Sequence, residues 1–172
     1  MIEPMLVFGP GRYKGAFHGY LKRLQSIHWK WASLTTAFLG LVCALFYLGG
    51  PVFIPLVVLA AGSGLILQQW LLRRACYVRM QPRDAALGGM VYLVLVVGGA
   101  FALRGMDRLD AVSGIVLMAV ASLAASVWIG LRLRQGSKDE RSAPDSQELL
   151  SDHWRYGRWA VATGVLRWFP AN

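Results

Sequence analysis

Arginine supplies most of the chemistry that this sequence could perform. Arg12, Arg73, Arg74, Arg79, Arg155 and Arg158 each stand close to a long uncharged run. A guanidinium pairs with phosphate and other oxyanions through parallel, charge-assisted hydrogen bonds. The plainer role of such residues is to anchor helix ends among lipid headgroups, and that role is favoured for Arg73 and Arg74. Gln68 and Gln69 fall about one turn before Arg73. They can face a polar cavity or hydrogen-bond between packed helices. Other chemistry lacks its residues. His18, His28 and His153 have no metal-ligand spacing, and no nucleophile motif, paired carboxylates or glycine-rich phosphate loop stands out. Asp84, Asp107 and Asp110 sit where uncharged runs begin or end, and no charge falls in mid-run. The marker of a proton or ion relay is therefore missing. Neither an enzyme, a cofactor nor a metal is expected.

The elements that must position these residues are long and apolar. Of 172 residues 56% are hydrophobic and 16% charged, against about a quarter charged in a soluble domain. Four runs carry the excess: Trp31 to Leu48, Pro51 to Leu72, Ala85 to Leu103 and Ala111 to Leu131. Each is roughly 18 to 22 residues, the length that carries an α-helix across about 30 Å of hydrocarbon. Period-two alternation is absent, which disfavours a membrane barrel. The expected fold is all-α: a polytopic transmembrane helical bundle of four spans, with a C-terminal interfacial or truncated fifth helix.

The connections orient that bundle. Arg12, Lys14, Lys22, Arg23 and Lys30 precede the first run, and only Gly49 and Gly50 part it from the second. Arg73, Arg74, Arg79 and Arg83 lie between the second and third. The next connection sets Arg104 and Arg108 against Asp107 and Asp110, and Arg132, Arg134, Lys138 and Arg141 follow the fourth. Basic and near-neutral connections alternate, as the positive-inside rule requires of two helical hairpins. Both ends of the four-span core are thus expected in the cytoplasm, with the chain multi-pass in the cell inner membrane. The net charge of +9 marks membrane ends that meet lipid headgroups; no nucleic-acid-binding fold or motif accompanies it. Cys43 and Cys76 fall at different depths, so no disulfide scaffold is implied.

Outside the spans, residues 1–30 read as a basic segment. Its opening lacks the basic start and long apolar core of a secretory signal. His18 to Lys30 reads equally as an interfacial helix or a plain basic flank. Residues 132–152 are polar enough for a linker. Residues 153–172 place Trp154, Gly157, Val161 and Val165 at helical spacing among arginines. They form a surface helix or the start of a further span, the second being favoured because the polar face is weakly charged.

Small residues are expected to set helix packing. Ala60 and Gly64 are four apart in the second span, as are Ala121 with Ala125 and Ser122 with Ser126 in the fourth. Such spacing lets backbones approach closely. Gly88, Gly89, Gly98 and Gly99 are expected to loosen the third helix and permit bending, and Pro55 to kink the second mildly.

Three stretches carry a family resemblance: EPMLVFGPGRYKG at Glu3 to Gly15, LLRRACYVRMQPRDAALGG at Leu71 to Gly89, and HWRYGRWAVATGVLRWFPAN at His153 to Asn172. In order and intervening hydropathy they resemble bacterial polysaccharide-export flippases of the multidrug/oligosaccharidyl-lipid/polysaccharide flippase superfamily. That resemblance implies two similar lobes, and movement of lipid-linked sugars from the inner to the outer leaflet. By the same analogy, residues 31–131 correspond to the last four spans of the first lobe, and residues from Trp154 to the start of the next. The sequence departs from the family in length, because it lacks the first two spans of that lobe and nearly all of the second lobe. Alternating access commonly needs two bodies around one site, so a partner polypeptide supplying the missing spans is expected, or else an inactive fragment. The arginines named above, with Gln68 and Gln69, are then the candidates to meet a phosphorylated lipid headgroup.

Overall fold

The computed structural model describes residues 17–47, 50–135 and, further on, 149, 151, 153–155, 157–159 and 162–163. Arg12, the stretch at residues 3–15, residues 136–148 of the polar linker and residues 164–172 lie outside the described residues. Four long helices follow one another: α1 Phe17–Tyr47, α2 Phe53–Val78, α3 Pro82–Gly105 and α4 Ala111–Gln135. Each is long and apolar enough to cross a membrane. The shortest, of 24 residues, rises about 36 Å. No strand occurs among the described residues, and those between 149 and 163 belong to a short C-terminal helix. The chain is an all-α, polytopic membrane bundle.

The ends of the helices have local causes. Pro51 lies in the turn before α2, and Pro55 falls in its first turn. The N–H that Pro55 lacks has no partner there in any helix, so the expected kink has no lost ladder bond to cause it. At the far end of α2 the Met80 N–H bonds the Tyr77 carbonyl at 3.0 Å and the Gln81 N–H bonds that of Cys76 at 2.9 Å. This is a Schellman cap, and Met80 takes its left-handed position at φ 55°. Pro82 then opens α3 with its φ already helical. The α3 terminus repeats the device, with Asp107 at φ 52° and Arg108 N–H bonding the Leu103 carbonyl at 2.9 Å. Asp110 caps α4: its carboxylate accepts from the Ser113 N–H at 2.7 Å, and its own N–H donates to Ser113 Oγ at 2.9 Å.

Packing follows small residues. α2 contacts all three other long helices, and α1 packs on α2 rather than on α4. Gly62 of α2 faces Ala119 of α4, and Gly64 faces Ala32 of α1. Thr36 Oγ1 donates to the Ala60 carbonyl at 3.0 Å, and the His28 ring bonds that of Gly64 at 3.0 Å, which pins α1 to α2. Gly88 and Gly99 lie three turns apart on α3, under Ile129 and Leu117 of antiparallel α4. Those two glycines admit side chains of a neighbouring helix, whereas Gly98 faces open space. Ala60, Gly64, Ala121, Ser122, Ala125 and Ser126 are all buried.

The main core sits at the end where α1 and α3 begin and α2 and α4 end. Phe17, Tyr20, Leu21, Leu24 and Ile27 form one stripe of α1, packed with Leu71, Leu72, Ala75 and Cys76 of α2, Ala85 of α3, and Ile129 and Leu133 of α4. Residues 18–30 are thus the first turns of the same helix that enters the membrane. Leu149 and His153 of the C-terminal helix are buried at this end too, and the Tyr20 hydroxyl and His153 Nε2 share a hydrogen bond of 3.0 Å. This is also the basic end, bearing Lys22, Arg23, Arg74, Arg79, Arg132 and Arg134.

Candidate functional site

Because α1 and α4 both lean on α2, a furrow opens between them with α2 as its floor. It encloses about 360 Å³. His18, Leu21, Lys22, Gln25 and Trp29 form the α1 wall; Gln68 and Leu72 form the floor. The α4 wall runs from Leu123 through Ser126 and Gly130 to Arg134. The α1 residues recur every three or four positions, so they share one helix face. Ser126, Gly130 and Arg134 do the same at steps of four. Cations gather at the mouth, where Lys22 and Arg134 are exposed. Polar neutral groups lie deeper. Gln68 Oε1 and Ser126 Oγ are buried without a hydrogen-bond partner, although each residue is only 7% exposed. A polar atom removed from water and left unpaired costs free energy, so each side chain gains if it turns toward a ligand that brings hydrogen-bonding groups into the furrow.

The arginines named from sequence are dispersed around this end. Arg79 Nη1 donates to the Leu133 carbonyl at 2.7 Å, and its guanidinium lies 6.0 Å from the Phe17 ring centroid. It therefore ties the α2–α3 turn to the last carbonyls of α4, where a cation also complements the helix dipole. Arg73 is half-buried, lies 5.7 Å from the Trp70 ring centroid, and keeps its Nε buried without a hydrogen bond. Its guanidinium is the nearest group to a Cβ built on Gly89, at 3.8 Å. Arg74 is half-buried; Arg155 and Arg158 are exposed on the C-terminal helix. None of these lines the furrow. Of the two glutamines, Gln68 does, while Gln69 is buried outside it.

Lys22, Gln25 and Arg134 escaped sequence reasoning, and Ser126 was expected only to pack. The signal lay in the spacing of His18, Lys22, Gln25 and Trp29 on one face, which a reading of charges as loop markers passes over. No family model matches this chain, and no curated protein or solved structure matches it either.

Proposed function

We propose that the four spans form part of one lobe of a flippase-like membrane protein that moves lipid-linked oligosaccharide or polysaccharide precursors. The observation that carries this reading is the one-sided charge of the bundle. Lysines and arginines crowd the end where α1 and α3 begin and α2 and α4 end, and a phosphorylated headgroup is electrostatically favoured there. By the positive-inside rule that end faces the cytoplasm. The resemblance of the three sequence stretches to polysaccharide-export flippases supplies the cargo.

A second reading has its own support. In this reading the chain does not transport but works through helix association with a partner. α3 buries little: among its apolar residues Met90, Leu93, Val94, Val97 and Phe101 are all exposed. Lipid or further helices from a second polypeptide can cover that face.

One experiment separates the two. The tagged chain is purified in mild detergent from its native membranes, and the gene is deleted in parallel. The transport reading expects a second apolar polypeptide to co-purify. It also expects the deletion strain to lose surface polysaccharide and to accumulate lipid-linked sugar inside. Normal export from that strain would overturn it. A co-purifying partner without a sugar phenotype would leave the association reading in its place.

A further inference from the structure

We propose that the furrow between α1 and α4 holds one anionic glycerophospholipid, its phosphate between Lys22 and Arg134 and its glycerol esters beside Gln25, Gln68 and Ser126. This occupant would be a resident of the bundle, so the proposal stands apart from any translocated cargo.

The furrow grades from a cationic mouth to a neutral polar floor, beside an apolar edge. At the mouth, Lys22 and His18 stand on the α1 wall and Arg134 on the α4 wall. A phosphate placed there meets two cations and no carboxylate from the lining. Below the mouth the lining changes from charged to neutral polar. Gln25 lies three residues along α1 from Lys22, about 4.5 Å of rise, and Ser126 lies eight residues from Arg134, about 12 Å. Here Ser126 Oγ and Gln68 Oε1 lack partners. Rotation about χ1 lets the Ser126 hydroxyl donate to an ester carbonyl, and the Gln68 Nε2, which is not among the buried atoms, can donate to another. Alongside these levels the α4 edge is apolar: Leu123, Val127 and Leu131 are exposed along it, open to the bilayer where acyl chains lie. Trp29, exposed on α1 seven residues and about 10 Å beyond Lys22, puts an aromatic ring at the interfacial level beneath the phosphate.

This sequence of levels chooses among phosphate-bearing ligands. Inorganic phosphate would meet the cations but leave the polar floor empty. In a polyprenyl phosphate the hydrocarbon starts at the phosphate ester, so methyl and methylene groups would face Gln68 and Ser126. Only a lipid with acceptors just below its phosphate satisfies both. A volume of about 360 Å³ accommodates a headgroup and glycerol with the chains outside.

The test is native mass spectrometry of the full chain in a non-ionic detergent, titrated separately with phosphatidylglycerol, phosphatidylcholine, polyprenyl phosphate and inorganic phosphate. Phosphatidylglycerol should be retained about tenfold better than phosphatidylcholine, and Lys22→Ala with Arg134→Ala should abolish the difference. Gln68→Leu and, separately, Gln25→Leu should weaken both glycerolipids about three- to tenfold without affecting polyprenyl phosphate. Gln25 is half-buried, so its variant carries the test if Gln68→Leu fails to fold. Tighter binding of polyprenyl phosphate than of phosphatidylglycerol would overturn the proposal. So would retention of inorganic phosphate alone, or glycerolipid binding indifferent to all four side chains.

Discussion

Alanine at Gly88 and alanine at Gly98 should change stability in opposite directions, although both positions lie inside α3. A Cβ on Gly88 would sit 2.5 Å from both Cγ1 and Cδ1 of Ile129, whereas ordinary contact begins at 3.4 Å. Ile129 is fully buried, so it has little room to retreat, and α3 and α4 must part by about an ångström or Ile129 must leave its rotamer. Overpacking of this kind costs about 1–3 kcal/mol. Alanine also gains up to about 1 kcal/mol of helix propensity over glycine. The net for Gly88→Ala is a loss of about 0–2 kcal/mol. At Gly98 nothing lies within 4 Å of the built Cβ, and only the gain remains. The two variants should therefore differ by about 1–3 kcal/mol. Reversible unfolding in mixed micelles, followed by far-UV circular dichroism against rising SDS fraction, measures this difference. A cycle with Ile129→Ala, which deletes both clashing carbons, should show the Gly88→Ala loss vanish in that background. Equal effects at the two glycines, or an unchanged loss in the Ile129→Ala background, would refute the close α3–α4 approach on which the reasoning depends.

Other perturbations test other parts of the bundle. Hydrogen bonds from the Ser113 N–H, then from its hydroxyl, hold the Asp110 carboxyl below its ordinary value of 3.8. A depressed folded-state pKa gives stability that is present above the ordinary value and lost as pH falls through the lowered one. Asp110→Asn should flatten the acid limb of a thermal-stability profile below about pH 4, and an unchanged limb would count against the cap. Met80→Gly should raise the melting temperature or leave it unchanged, since Met80 is 87% exposed and glycine takes a left-handed φ without strain. A clear drop would show that the side chain matters there. Tyr20→Phe removes a buried hydrogen bond worth about 1 kcal/mol and should quicken amide exchange across residues 149–163 while sparing α2. Met80→Cys and Asp107→Cys, in a chain lacking Cys43 and Cys76, should label from opposite faces of the membrane. Labelling from one face would exclude two hairpins.

Hydropathy alone located the helices because a span leaves a plain trace: about twenty residues without charge. The seams were partly legible, since Ala60, Gly64 and the alanine and serine pairs of α4 advertise close packing by size and spacing. Gly88 and Gly99 were harder. The same absent side chain that permits a bend also admits an Ile or Leu from a neighbour, and only the partner helix decides which. The α1 stripe from Phe17 to Ile27 was obscured by Lys22, Arg23 and Lys30, whose charges lower hydropathy although they project away from the stripe. The furrow depends on a tertiary fact, that α1 and α4 lean on a common helix, and no local pattern encodes it. Arg79 illustrates the limit from the other side: its type suggests an anion, but no local pattern shows its hydrogen bond to the Leu133 carbonyl of another helix.

Much of the buried side-chain mass lies at one end, where the first three turns of α1, the chain's C-terminal helix and the ends of α2 and α4 lock together. Beyond Trp31, most of α1 touches little but α2. The molecule should consequently behave as tongs do, held firmly at the grip and free to spread at the tips. Thermal opening would begin at the Gly50 side and travel toward the grip. A lipid tail or an incoming helix could enter between the tips without the grip loosening.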